Sequence, residues 1–147
     1  MVIIKFIKDD IMPKFSNSSL QKLATCHIDL QVLFNEVIKY YDCTIFQGYR
    51  NEADQEKAFS EGHTKLHYPY GKHNKQPSQA VDVIPYPIDF NNDKLGLWFG
   101  GYVLGIAQKL KDEGKIIHSI RWGGSWSGLG QLNKPYMLND LVHFEII

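Results

Sequence analysis

The stretch Ala80-Val81-Asp82-Val83-Ile84-Pro85 decides how this chain is read. Val81, Val83 and Ile84 are β-branched, and Pro85 and Pro87 end the run, so it predicts a strand. Asp82 sits in its middle. A buried carboxylate without a partner is strongly unfavourable or stays protonated. Asp82 therefore needs a metal, backbone donors or an arginine such as Arg50 or Arg121. On this residue alone, metal and salt bridge stand side by side.

Downstream, Asp93 is a candidate cap for a long helix. Leu95, Trp98, Phe99, Tyr102, Ile106 and Leu110 make its expected core stripe, and Gly114 ends it. Ile116 to Trp122 is a strand candidate, and Leu141 to Ile147 closes the chain as another. There Val142, Phe144 and Ile146 are expected to face one way, with His143 and Glu145 facing the other. Upstream, Asn51 and Asp54 mark a capped helix running to Ser60, with Gly62 as its stop. Thr44 to Phe46 reads as a short strand. Leu30, Leu33, Phe34, Val37 and Tyr41 recur at helical spacing, Ser18-x-x-Gln21 fits a capping box, and Val2 to Ile7 is a further strand candidate. Together these predict an α+β fold: a small antiparallel sheet with flanking helices, in a single domain over residues 1–147. Two stretches, Gly62 to Ser78 and Gly123 to Asn139, have no period. Long loops in compact domains are usually functional or disordered.

The chain has 147 residues, the length of one ordinary domain. Lys plus Arg and Asp plus Glu both total 16, so the formal net charge is zero. That balance argues against nucleic-acid binding and offers no polybasic membrane patch. No apolar run approaches the ~20 residues of a membrane helix. Met1 to Ile7 is short and interrupted by Lys5, so no secretory signal peptide is expected and synthesis is cytoplasmic. Cys26 and Cys43 lack CxxC spacing and read as buried, reduced thiols.

His73 lies in the first irregular stretch, and a lone loop histidine is usually solvated. His143 alone reads as a core histidine satisfied by one hydrogen bond, and Glu145 on the same face could orient it. Together, His73, Asp82 and His143 offer two imidazoles and a carboxylate. That set suits a catalytic zinc with one position open for water. Such a site lowers the pKa of bound water towards ~7. Asp140 is a candidate general base. Three positions before His143 would be the opposite face of a strand, so Asp140 is expected in the preceding turn, where Asp is also common as a plain turn residue. The spacing is no generic zinc motif, and on pattern alone zinc is one reading among several. His63 and His67 read as solvated or as neighbours of the ligands, and His27 and His118 as structural. Trp122, Trp126 and Tyr86 could line a groove or simply pack. Trp98 and Tyr102 are expected in the core.

Five runs, in order, carry a resemblance: Gly48-Tyr49-Arg50 followed by Gln55, Lys72-His73-Asn74, Ala80 to Phe90, Arg121 to Trp126, and Asn139 to Glu145. They resemble the zinc peptidases that include D-alanyl-D-alanine carboxypeptidases and dipeptidases and phage L-alanyl-D-glutamate endopeptidases. Hedgehog signalling domains share that fold. The resemblance implies Zn2+ held by His73, Asp82 and His143, with Asp140 as catalytic base. It implies that Arg50 stabilises the substrate carbonyl or holds a nearby carboxylate. Arg50 otherwise reads as an ion-pair partner of Asp82 or a surface residue. The implied protein is a monomeric phage endolysin without stable membrane association. It cleaves the L-alanyl-D-glutamate bond of the peptidoglycan stem peptide after holin-type release from the host cytoplasm. A D-alanyl-D-alanine carboxypeptidase and an inactive peptidoglycan-binding module are the alternatives. Three positions depart from the common pattern. Gly71 stands where many members have serine, the His73 to Asp82 gap is nine rather than seven, and Ser125 stands where a phage subset often has aspartate.

Overall fold

The computed structural model describes residues 12–128 and 130–147, so the strand expected over Val2 to Ile7 lies outside the described residues. In chain order the elements are α1 (Asn17–Leu23), α2 (Ile28–Val37), β1 (Cys43–Gln47), α3 (Glu52–Ser60), β2 (Ala80–Pro85), α4 (Asp93–Asp112), β3 (Ile120–Gly123) and β4 (Asp140–Ile146). A 3-10 turn, Lys72–Asn74, lies between α3 and β2. The strands form one antiparallel sheet in the order β1-β2-β4-β3. This is the expected α+β architecture.

Local sequence explains several element ends. The Asn51 side chain accepts a hydrogen bond from the Asp54 amide at 2.9 Å and caps α3. Gly62 and Gly114 take φ of 77° and 72° just beyond α3 and α4, a left-handed conformation that suits glycine. Two caps fall elsewhere than expected. Ser16, not Ser18, caps α1 by accepting from the Ser19 amide at 3.1 Å. Asn92, not Asp93, caps α4 by accepting from the Leu95 amide at 3.2 Å. Each region offers several capping residues in a row, and packing of the helix selects among them. The segment between α1 and α2 leaves the helix because the His27 amide donates to the Ser78 carbonyl at 2.8 Å.

The helices α2 and α4 cover one face of the sheet. Leu30, Leu33, Phe34 and Val37 of α2 join Phe99, Val103, Ala107 and Leu110 of α4 over Ile45, Val81, Val83, Phe144 and Ile146. Each large side chain buried in this layer is worth about 1.5–3 kcal/mol. Gly100 lets α4 close onto Trp122, because a Cβ there would overlap the indole. The α4 stripe therefore differs from expectation. Trp98 is 50% exposed and stacks on the partly buried Tyr102, and Tyr41 packs beside them beyond the end of α2. Large aromatics dominate a hydrophobicity pattern, yet only small residues let a helix approach a sheet this closely.

The strands also deviate. β3 begins at Ile120 and not Ile116, because the Ile117 and His118 amides donate to the Asp29 carboxylate at 3.1 and 2.9 Å instead of joining the sheet. β1 is one residue longer at each end than the expected Thr44 to Phe46. Cys26 and Cys43 are free and buried, and burial pushes both thiols up to about 12.

In the register of β2 and β4, Asp82 pairs with His143 and Ala80 with Glu145. Residues directly opposite share a face. Val81, Val83 and Phe144 point to the helices, so Asp82, His143 and Glu145 point to the other face.

Candidate active site

A cleft of about 1070 Å³ opens on that second face. Asp82 from β2, His143 from β4 and His73 from the 3-10 turn meet in it, exposed by only 6%, 9% and 4%. Three of their atoms form a nearly equilateral triangle. His73 Nε2 lies 3.2 Å from Asp82 Oδ1, His143 Nδ1 lies 3.3 Å from the same oxygen, and the two nitrogens are 3.3 Å apart. A tetrahedral ion with bonds of about 2.0–2.1 Å has ligand-to-ligand edges of about 3.3 Å.

The outer hydrogen bonds decide what the inner atoms offer. His73 Nδ1 lies 2.8 Å from the Gly48 carbonyl, which only accepts, so this nitrogen carries the proton. His143 Nε2 lies 2.8 Å from Glu145 Oε2 and carries its proton for the same reason. The inner nitrogens are then lone pairs aimed at a carboxylate oxygen. Three converging acceptors with no donor among them can hold a metal ion. That holds for neutral imidazoles; in the metal-free protein His143 Nδ1 and Asp82 Oδ1 are close enough to share a proton. Burial disfavours the His143 imidazolium, but hydrogen bonds to Asp82 and Glu145 outweigh it and push the pKa up to about 10. Burial likewise works against the Asp82 carboxylate, yet the two histidines hold it well below the usual carboxylate range.

Both candidate arginine partners are accounted for. Arg121 turns to Glu145, its Nε at 2.8 Å from Oε1, with Nη2 on the same oxygen. Burial would raise Glu145, but His143 and Arg121 draw it down to about 2. Arg50 pairs with Asp82, Nη2 to Oδ2 at 3.5 Å, while its Nη1 donates to Gln55 Oε1 at 3.2 Å. Arg50 also lines the cleft.

Asp140 was expected in a turn, but it is the first residue of β4. The pair Trp122↔Phe144 is followed by Gly123↔Asp140, so one step along β3 takes four along β4. This bulge overrides strict alternation and turns Asp140 into the cleft. Gly123 makes room, since a Cβ there would overlap the Asp140 carbonyl. The same bulge moves Val142 from the expected core face to the cleft wall, while Leu141 packs on the core. Burial and the Asp82 charge raise the Asp140 carboxyl above its ordinary value, against the pull of His143, His73 and Arg50.

The remaining candidates divide. Trp126 lines the cleft, its ring 5.6 Å from that of His143. Trp122 is core, and Tyr86 is exposed and outside the cleft lining. Ser125 turns its hydroxyl to the Gln131 carbonyl, away from the cleft. His63 borders the cleft 3.7 Å from Glu61, and His67 lies 2.8 Å from Glu56. Both are exposed, and neither joins the three donor atoms. Gln55 and Asn74 also belong to the site, hydrogen-bonded to each other and to Arg50. Gln55 is the one buried residue of α3. The available signal was that α3 has no apolar stripe and must attach through something polar. Phe46 and Phe90, edge to face at 5.5 Å on the cleft wall, were also missed.

The family model described as phage L-alanyl-D-glutamate peptidase matches residues 11–147. Among solved structures, the L-Ala D-Glu endopeptidase ChiX of Serratia marcescens superposes with a TM-score of 0.66. It is 22% identical, over 95% of this chain and 93% of that one, and shares the fold. No curated protein matches the chain.

Proposed function

The chain belongs to the phage L-alanyl-D-glutamate peptidase family, and from that premise we propose a zinc endopeptidase in which His73, Asp82 and His143 hold the metal and Asp140 and Arg50 carry the chemistry. It is a peptidoglycan-cleaving endolysin, and the L-alanyl-D-glutamate bond of the stem peptide is its target. The observation that carries the metal reading is the triangle of lone pairs at 3.2–3.3 Å, with both outer imidazole protons already engaged.

His73, Asp82 and His143 would hold the zinc ion, which would supply a Lewis acid and lower the pKa of water towards neutral pH. Asp140 takes the proton from the attacking water as the new C–O bond forms. Its burial in the cleft favours proton uptake over that of a surface aspartate. Arg50 donates to the scissile carbonyl oxygen as negative charge grows on it. Asp140 then gives its proton to the leaving D-glutamyl nitrogen as the C–N bond breaks. Glu145 and the Gly48 carbonyl keep both imidazoles in one tautomer throughout. Phe46, Phe90 and Trp126 provide apolar walls for the substrate chain.

Among the described residues, no helix is long and apolar enough to cross a membrane. Action as a monomer and delivery to the wall by a holin belong to the same proposal. Digestion of a defined muropeptide tests it. The expected products carry a new D-glutamyl amino terminus. Release of D-alanine with the L-alanyl-D-glutamate bond intact would identify a carboxypeptidase instead. Binding to peptidoglycan with no new amino termini would identify an inactive binding module.

A further inference from the structure

Gln55 is 1% exposed, and every polar atom of its side chain is engaged. Its Oε1 accepts from Arg50 Nη1 at 3.2 Å and from Asn74 Nδ2 at 3.1 Å. Its Nε2 donates to the Leu66 carbonyl at 2.6 Å. Asn74 closes the circuit, because its Nδ2 also donates to the Arg50 carbonyl at 2.9 Å and its Oδ1 accepts from the Gly71 amide at 2.9 Å. The Arg50 amide donates to the His73 carbonyl at 2.8 Å. Arg50 is thus held by backbone and side chain to the turn that bears His73. Gly71 leaves room for this, since a Cβ there would press on Asn74 Oδ1 and approach both Gln55 amide atoms.

A guanidinium on a flexible stem loses rotamer freedom when it is fixed, and a buried amide that accepts from it prepays that loss. Gln55 holds Nη1 and leaves Nη2 directed at Asp82 in the cleft. Its other end grips Leu66, in the wall of the same cleft. One side chain therefore touches two functions through different atoms. Oxygen Oε1 sets the arginine, and nitrogen Nε2 sets the wall.

We propose that Gln55 is a positioning residue: its Oε1 orients Arg50 for the chemical step, and its Nε2 staples the Leu66 segment that shapes the substrate cleft. The inference rests on the role given to Arg50 under the proposed function.

A double-mutant cycle on the zinc-loaded full chain tests it, with kcat and KM read separately on a defined muropeptide. Arg50→Ala is expected to lower kcat by about 10²–10³-fold, the usual loss for one donor to a developing oxyanion. Gln55→Leu should lower kcat by at least about tenfold alone, yet lower it by no more than about twofold when added to Arg50→Ala. Unchanged kcat in Gln55→Leu, or a full additive loss on the Arg50→Ala background, overturns the inference while leaving the role of Arg50 intact. An Arg50→Ala enzyme with wild-type kcat instead overturns the reading of Arg50 on which the inference rests. Should Gln55→Leu fail to fold, Gln55→Glu decides. It keeps an acceptor for Arg50 and loses the donor to Leu66. Retained kcat with KM raised by about fivefold or more supports the proposal, and any other split overturns it.

Discussion

Two clusters in this molecule have the same composition, His-Asp-His, and opposite designs. One is His73, Asp82 and His143 in the cleft, and the other joins His27 and Asp29 at the start of α2 to His118 from the segment before β3. In the first, the outer nitrogens are tied to Gly48 and Glu145, and the inner atoms stand 3.2–3.3 Å apart. In the second, the hydrogen bonds point inward. His118 Nδ1 lies only 2.7 Å from Asp29 Oδ2, the same oxygen accepts the Ile117 and His118 amides, and His27 Nδ1 accepts the Asp29 amide. A contact of 2.7 Å is a hydrogen bond and is shorter than the roughly 3.3 Å edge of a tetrahedral metal site. Both sets could hold a metal by residue type alone, so composition does not distinguish them. The direction of their hydrogen bonds does.

The largest effects should fall on the cleft cluster. His73→Ala and His143→Ala should each lose bound zinc and activity, whereas His118→Ala should keep both. Metal analysis of the purified variants checks this, and zinc lost from His118→Ala instead would reverse the comparison. Asp140→Asn should keep its zinc and lose about 10²–10⁴-fold in kcat, because it removes a base and no ligand. The pH profile follows from the same group. The ionised carboxylate is the active form, so activity declines as pH falls through its pKa. In the metal-free protein burial and Asp82 raise that pKa, so there Asp140 should take up its proton at higher pH than a surface aspartate. An Asp140 carboxyl that titrates at the ordinary value of 3.8 in the metal-free protein would contradict the environment described for it.

Glu145→Gln should weaken zinc binding by about 10–100-fold, since it removes the charge that orients His143 without touching the metal position. Competition with a chelator measures it, and unaltered affinity would show that the tautomer is set by something else. The smallest effect belongs to the second cluster. His118→Ala removes one charge-assisted hydrogen bond of several on Asp29 and should cost about 1–3 kcal/mol of stability. Burial would raise Asp29, but the His118 amide and ring and the Ile117 amide outweigh it and lower its pKa. The folded form therefore gains stability above the ordinary carboxylate pKa, and that gain is lost as pH falls below it. Urea melts of both proteins at neutral and acidic pH should converge at the acidic end.

Much of this was legible in the linear chain. Asp82 in an apolar strand announced a buried charge needing partners, and Glu145 two places after His143 announced an orienting group, because strand alternation is a local rule. Asn51 and Gly62 bounded α3 for equally local reasons. Alternation failed where β4 bulges. That rule sent Asp140 to a turn and Val142 to the core, and a bulge depends on how the partner strand, with Gly123, is packed. The exposed Trp98 misled the reading of α4 because Gly100, which lets the helix approach Trp122, carries no hydrophobic weight.

By itself, then, the order of residues determined the element types among the described residues, the α+β class and the buried charge of Asp82, while the equally buried Asp29 carried no such signal. Periodicity and capping act within a few residues, and those signals survive in one dimension. Tertiary structure alone decided that Arg121 serves Glu145 while Arg50 serves Asp82, and which nitrogen of each histidine faces inward. It also decided that in one His-Asp-His set the outer imidazole nitrogens are tied away from the carboxylate, while in the other the carboxylate oxygen already accepts a ring nitrogen and two amides. Those choices depend on distances of a few tenths of an ångström between residues far apart in the chain, and only the packed fold sets them.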